Sequence, residues 1–315
     1  MKKTRLILML LVALAFVSCK KPADCGDLSV NIGYSINGNP LITDSLCYHN
    51  EAGNEFMITE IQWFISNMEL QNELGAWNAL EPKIFYIDTN IPESQALRMN
   101  HVPTGHYKAL RFTFGLDEND NRTGLFNNPP ELEMFWPEPL GGGYHYMKLN
   151  GKYLDAEGRL APMAIHLGIG QNEDCTEFYQ NYFIVEIPID FNVRANIENQ
   201  LFLTMVIDNW FRNPNTIDFN EFGSHIMQNQ AAQQALKENG HDVFAISNEE
   251  KDNNIAMKKD GFLKGFNGFM RKAAPKPHFW SWENAKERFQ NPTAASRHCE
   301  ASFREDGRSN PDLKI

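Results

Sequence analysis

The sequence has no excess of basic residues and few cysteines. Lys and Arg number 29 against 40 Asp and Glu, which gives a net charge of −11. The acidic surplus lies in the body of the chain and would repel nucleic-acid phosphates, so no nucleic-acid partner is predicted. None of the five cysteines forms a CxxC pair, and a thiolate metal cluster is therefore not indicated.

Motifs that carry enzyme chemistry are also missing. The chain contains no nucleophile elbow, phosphate loop, zinc-binding HExxH, haem-binding CxxCH or EF-hand pattern. We therefore predict that the protein is not an enzyme, and we assign no catalytic residues. Aromatic residues make up 12% and hydrophobic residues 42% of the chain, enough for an ordinary folded core.

The N-terminus is typical of an export signal. A short basic segment precedes the apolar run Leu6–Val17, which is too short to span a bilayer as a mature helix. The run ends at Ser18-Cys19, which resembles a bacterial lipobox. We predict a signal peptide at residues 1–19, lipidation of Cys19 and a tether at residues 20–27. The lipid-anchored protein would then lie in the cell envelope, as a periplasmic or outer-membrane protein. An ordinary cleaved signal is the alternative.

An oxidising compartment permits disulfide bonds. Cys25 and Cys47 flank an expected strand and could join it to its neighbour, or they could remain as thiols. The spacing leaves both possibilities open.

Alternating apolar residues dominate the middle of the chain and predict half-buried strands. Turn-forming pairs such as Asn37-Gly38, Asn150-Gly151 and Glu157-Gly158 separate the predicted strands. The pattern predicts an all-β fold, an antiparallel β-sandwich with long loops, over residues 28–247. The runs are Leu28–Ile36, Leu110–Leu116, Phe183–Ile189 and Leu201–Ile207.

One short C-terminal helix is predicted over Ile226–Glu238. Ser224 would cap it, and Asn239-Gly240 would end it. Met227, Ala231 and Ala235 would form its sheet-facing side. Residues 248–315 are expected to be a poorly ordered tail outside the core.

Several side chains are candidate metal ligands, since imidazole and thioether groups suit copper. In a strand, His166 would project away from Met163, Ile165 and Leu167. Each candidate taken singly could instead be an ordinary packing or surface residue. The candidates are His166, His145, His225 and Met227.

A second set of side chains could bind calcium or form a turn. Asp117, Asp120 and Asn121 carry the oxygen donors that Ca²⁺ prefers. The same residues are common turn formers.

Eight blocks of the sequence, which include a glycine-rich stretch beside aromatic residues, are distinctive as an ordered set. The blocks are Tyr48–Asn54, Thr59–Asn67, Val102–Tyr107, Phe114–Asp117, Met134–Trp136, Gly143–Gly151, Ile165–Gly168 and Asn229–Phe244. In this order they resemble the MbnP-like family of copper-binding proteins.

The resemblance implies an extracytoplasmic β-rich protein that stores, buffers or delivers copper. It further implies that Trp136 is oxidised to kynurenine at the copper site, and that a diheme cytochrome c peroxidase-like partner carries out this oxidation. The alternative is an envelope binding module that uses Trp136, Tyr144 and Tyr146 as an exposed aromatic surface for a glycan or protein. Copper binding requires the candidate ligands to lie close together in the folded protein. A binding module requires the aromatic side chains to be exposed.

Overall fold

The computed structural model describes residues 24–247, apart from residues 173, 175, 224 and 225. The predicted signal peptide, the lipidation of Cys19 and the tail from residue 248 lie outside the described residues. So do the predicted helix cap Ser224 and the candidate ligand His225. Among the described residues, no helix is long and apolar enough to cross a membrane.

Fifteen strands make up nearly half of the described chain. Their bounds are β1 Cys25–Ile36, β2 Asn39–Pro40, β3 Tyr48–His49, β4 Glu55–Asn72, β5 Trp77–Ala79, β6 Ile84–Asp88, β7 Ala96–Pro103, β8 Gly105–Phe114, β9 Met147–Leu154, β10 Leu160–Leu167, β11 Gly170–Gln171, β12 Phe178–Tyr179, β13 Phe183–Val193, β14 Glu198–Val206 and β15 Phe244–Ser247. The α-helices are α1 Phe219–Phe222 and α2 Gln230–Asn239. Short 3-10 helices span Pro92–Gln95, Glu131–Met134, Glu138–Leu140, Ile207–Phe211, Ile226–Gln228 and Gly240–Asp242.

Two large sheets form the predicted sandwich. The eight-stranded sheet has the order β10-β9-β4-β8-β13, with β3, β5 and β6 also paired to β4. The five-stranded sheet has the order β15-β14-β1-β2, with β7 also paired to β1. Neighbouring strands are antiparallel except for β1 and β14, which pair in parallel. The all-β prediction is confirmed, and this parallel pair is a departure from the expected pattern.

Aromatic side chains fill the space between the sheets. Trp63 on β4 lies 5.4 Å from Phe244 on β15, measured between ring centroids, and Phe112 on β8 lies 5.2 Å from the same ring. All three side chains are buried. They join the two sheets, because the alternating residues of β4 and β8 face the opposite layer.

The predicted C-terminal helix is interrupted. Ile226–Gln228 forms a 3-10 turn, and the α-helix begins after Asn229, whose side chain accepts a hydrogen bond from the Ala232 N–H at 3.0 Å. Asn229 is therefore the cap of α2. Of the predicted helix face, Met227 and Ala235 are partly buried against the core, whereas Ala231 is exposed. The buried side of α2 carries Ala232, Gln233, Leu236 and Asn239.

One prediction at the start of the domain is corrected, because strand β1 begins at Cys25 and the last part of the predicted tether therefore belongs to the sheet. Of the two possibilities left open for Cys25 and Cys47, the structure has no bond between them, and Cys47 is an exposed thiol. Cys25 instead pairs in register with Pro103 of β7.

Candidate metal centre

The chain before β9 folds back on itself and carries Trp136 into the interior. The Trp136 N–H donates to the Gly143 carbonyl at 2.9 Å, and Phe135 pairs with Tyr144 as an antiparallel bridge. The turn of this hairpin uses positive φ angles at Gly141, Gly142 and Gly143, a conformation that glycine adopts without steric cost.

Trp136 is completely buried and fixed at both ends. Its indole Nε1–H donates to the Leu140 carbonyl at 3.0 Å. Gly168, just after β10, lies against the face of the indole, where a Cβ atom would be only 2.5 Å from Cε3. The glycine at position 168 therefore permits the close approach of Trp136 to the strand end.

His145 stacks edge-on against Trp136, with ring centroids 4.6 Å apart. Its Nδ1 lies 2.9 Å from the Met134 carbonyl oxygen. A carbonyl can only accept, so Nδ1 carries the proton and Nε2 carries the lone pair. This Nε2 is buried and has no hydrogen-bond partner. Buried polar atoms of this kind are uncommon and require an explanation.

His166, on β10, packs against His145, which precedes β9. As predicted, it projects from β10 away from Met163, Ile165 and Leu167, which are buried in the core. Its ring centroid lies 5.1 Å from that of His145, with the planes at 81°. Its Nε2 lies 2.8 Å from Oδ1 of Asn150.

The environment keeps both imidazoles neutral. Burial, with a smaller effect of the Lys148 cation, lowers the pKa of His166 to about 3. Burial also holds the pKa of His145 well below its usual range, and the charges at Lys148 and His166 act in the same direction. Neutral imidazole is the form that binds metal ions, so no proton has to be displaced by a metal at neutral pH.

Three polar residues near the histidines were not identified from the sequence as part of the candidate site. They are Lys148, Asn150 and Glu60. Lys148 lies opposite His166 in the register of β9 and β10, and its Nζ donates to the Glu133 carbonyl at 2.5 Å. Burial lowers the pKa of Lys148. Asn150 and Glu60 stand next to each other on β9 and β4. The alternation of β9 and the turn at Glu157-Gly158 were the available signals, because together they set the register of the β9–β10 hairpin.

A comparison with protein families agrees with the resemblance that the ordered sequence blocks indicated. The MbnP family model matches residues 25–229, which is more than half of the chain. The chain belongs to the MbnP family. Among solved structures, MbnP from Methylosinus trichosporium is similar, with 13% identity, a TM-score of 0.48, and coverage of 70% of this chain and 98% of that one. No curated protein matches.

Of the other two predicted ligands of this MbnP-family protein, His225 lies outside the described residues and Met227 lies within them. Met227 is partly buried and packs against the hydrophobic core, in the 3-10 turn that lies beside β10. Within the described residues, no group of three or more His, Cys, Asp and Glu side chains could hold a metal ion. His145 and His166 are thus an imidazole pair that needs further donors to complete a metal site.

The candidate calcium loop has other bonding partners. Asp117 Oδ1 accepts from the backbone N–H groups of Asn119 and Asp120, and Asp120 pairs with Lys83 at 2.7 Å. Asn121 Oδ1 accepts from the Tyr144 N–H at 2.8 Å and so supports the hairpin that carries Trp136. These contacts are those of a turn, the alternative left open by the sequence.

The three aromatic residues of the alternative binding-module reading lie in the interior of this MbnP-family protein. Trp136, Tyr144 and Tyr146 are all buried, with at most 1% of their surface accessible. A flat platform for a glycan needs accessible ring faces. Burial therefore removes the basis of the alternative binding-module hypothesis for these three residues.

Proposed function

We propose that this protein binds copper through the imidazoles of His145 and His166 and serves in copper storage, buffering or delivery. The observation that carries the proposal is the Nε2 atom of His145, which is buried and has no hydrogen-bond partner among the described residues. The ring centroid of His145 lies 5.1 Å from that of His166, a second neutral imidazole. Imidazole is a suitable ligand for copper in both oxidation states. A metal ion would give this otherwise unsatisfied nitrogen a partner.

Trp136 is the proposed source of a further donor. Indole offers only an N–H donor and no lone pair for a metal. Oxidative opening of the ring to kynurenine creates a ketone and an aromatic amine, both of which can donate electron pairs. The contact between Trp136 and His145 at 4.6 Å supports this role, because the new groups would form beside the imidazole pair. His225 and Met227 remain proposed as additional ligands.

The proposal includes the setting in which the site would operate. Lipidation of Cys19 would hold the protein at a membrane of the cell envelope, where a diheme cytochrome c peroxidase-like partner would oxidise Trp136. The protein itself would bind and release copper and would not be an enzyme.

Copper titration of histidine variants tests the ligand assignment. The full-length protein is purified from its native envelope, and copper is measured per chain after loading and dialysis. His145→Ala and His166→Ala are expected to lose the tight copper while keeping the wild-type far-UV circular dichroism. His49→Ala is the matched control, since His49 is exposed on the short strand β3. Unchanged copper content and affinity in His166→Ala would refute the assignment.

Peptide mass spectrometry tests the modification separately. Conversion of tryptophan to kynurenine adds about 4 Da, since one carbon is lost and one oxygen is gained. The gain is expected on the Trp136 peptide and not on the peptides of the core residues Trp63 and Trp210. Copper bound with unmodified Trp136 would refute the kynurenine role and leave a site of histidine and other unmodified ligands.

A further inference from the structure

Asn150 connects His166 to a carboxylate on the third strand of the same sheet. In the register of β9, Asn150 lies opposite Ala164 of β10 and Glu60 of β4. Its Oδ1 is 2.8 Å from Nε2 of His166, and its Nδ2 donates to Oε2 of Glu60 at 3.4 Å. Three neighbouring strands thus contribute one side chain each to a continuous polar row.

Each hydrogen bond of this row is donated towards Glu60, from His166 to Asn150 and from Asn150 to Glu60. The Glu60 carboxylate can only accept, so the NH₂ group of the Asn150 amide faces Glu60 and its oxygen faces His166. His166 must then carry its proton on Nε2, which leaves the lone pair on Nδ1. Asn90 holds Glu60 in place from the other side, with Nδ2 donating to Oε1 at 2.7 Å.

The two histidines differ in what fixes their protons. For His145, the acceptor is the backbone carbonyl of Met134, which cannot change its role. For His166, the partner is an amide, which could rotate and donate to Nε2 instead. Among the described hydrogen-bond partners of the Asn150 side chain, Glu60 decides between these two orientations, because the rotated amide would place its oxygen against a carboxylate oxygen.

We propose that Asn150 and Glu60 are positioning residues that hold His166 in its Nε2–H tautomer. On the proposed copper function, this tautomer makes Nδ1 of His166 the nitrogen available to the metal. Outer residues of this type commonly orient ligating histidines, and their loss typically weakens metal binding by about 10- to 100-fold.

Nitrogen NMR of the metal-free full-length protein tests the tautomer directly. With ¹⁵N-labelled histidine at neutral pH, the wild type is expected to show His166 as a single Nε2–H tautomer. Asn150→Asp combined with Glu60→Gln keeps an acceptor towards His166 and restores a donor between positions 60 and 150, so this double variant should keep the signature. Asn150→Leu removes the acceptor and should give a mixture of tautomers. Lys152→Met, on an exposed side chain further along β9, is the control and should leave the spectrum unchanged.

A charge reversal makes the test sharper. Glu60→Lys replaces a group that only accepts with one that only donates, so the Asn150 amide should rotate and move the proton of His166 to Nδ1. An Nδ1–H tautomer in the wild type, or an unchanged Nε2–H population in Asn150→Leu, would overturn the proposal. If Glu60→Lys does not fold, the Asn150→Leu measurement decides.

Copper affinity is measured in parallel and separates this inference from the proposed function. Asn150→Leu is expected to raise the copper Kd by about 10- to 100-fold, and Asn150→Asp combined with Glu60→Gln is expected not to raise it. Absence of copper binding in the wild type would refute the proposed function while the tautomer result stands. A change in tautomer with no change in Kd would refute the claim that the tautomer serves metal binding.

Discussion

Gly168→Ala is expected to disturb the candidate site severely, because Trp136 occupies the space that a methyl group would need. A Cβ at position 168 would lie 2.5, 2.6 and 2.7 Å from Cε3, Cζ3 and Cδ2 of the indole. Carbon atoms in ordinary contact are about 3.5–4.0 Å apart. The ring or the strand would therefore have to move by about 1 Å.

Both partners in this contact are held in place. Trp136 is fully buried, with hydrogen bonds from its indole and its backbone N–H. The Gly168 N–H donates to Gln233 Oε1, and its carbonyl accepts from Asn181 Nδ2 at 2.8 Å. Overpacking in such cores costs about 1–3 kcal/mol. We expect a value near 3 kcal/mol, since three ring atoms are in conflict and neither side can relax freely.

A double-mutant cycle in urea unfolding isolates the contact. The metal-free wild type, Gly168→Ala, Trp136→Phe and the double variant are compared. Phenylalanine lacks the fused second ring, so Gly168→Ala should cost less than about 1 kcal/mol in that background, a coupling of about 2 kcal/mol. Equal costs in the two backgrounds, within about 0.5 kcal/mol, would refute the steric argument.

Three further predictions concern the surroundings of the site. The pKa values of His145 and His166 are lower in the folded state than in the unfolded chain. Protons therefore bind more strongly to the unfolded state, and the unfolding free energy falls as the pH drops below about 6.5. Each histidine contributes about 1.4 kcal/mol per pH unit to the change of the unfolding free energy with pH. His166→Phe should remove about half of the joint contribution of the two histidines, as measured by urea unfolding between about pH 6.5 and 5. An unchanged pH dependence in this variant would contradict the assignment. Gln233→Met should lower the unfolding free energy by about 2–4 kcal/mol in the same assay, because the buried Gly168 N–H and the His166 carbonyl lose their hydrogen-bond partner. Gln234→Met, on the exposed side of α2, is the control and should change the unfolding free energy by no more than about 0.5 kcal/mol. Asn229→Ala should lower the unfolding free energy by about 1 kcal/mol through loss of the α2 cap, and no change in thermal unfolding would show that the cap contributes nothing.

The choice between strand and loop, and the face on which a residue lies, could be predicted from the sequence. The alternation in Leu110–Leu116 and Met163–Leu167 assigned the buried and opposite faces correctly, and His166 was placed on the right side of its strand. The turn at Glu157-Gly158 was also predicted correctly, and it joins β9 to β10. These features depend on the local chain alone, since side-chain direction in a strand alternates with every residue.

The capping of the C-terminal helix could not be decided in this way. Ser224 and Asn229 are both suitable capping residues, and the helix begins at the second because Gln233 turns inward to bond the backbone of β10 and the 3-10 turn. A glutamine in a polar helix gives no signal of burial by itself. Its role depends on carbonyl groups that another part of the chain supplies.

The sequence by itself determined the all-β architecture, the family blocks and the candidate histidines. Only the tertiary structure decided that His145 and His166 meet, that Trp136 is buried between the hairpin and Gly168, and that Asn150 and Glu60 stand behind His166. The physical reason is that these contacts cross strands. Periodicity fixes the face of each strand, but which residues lie opposite one another depends on the strand register, and that is set by the packing of the whole sheet.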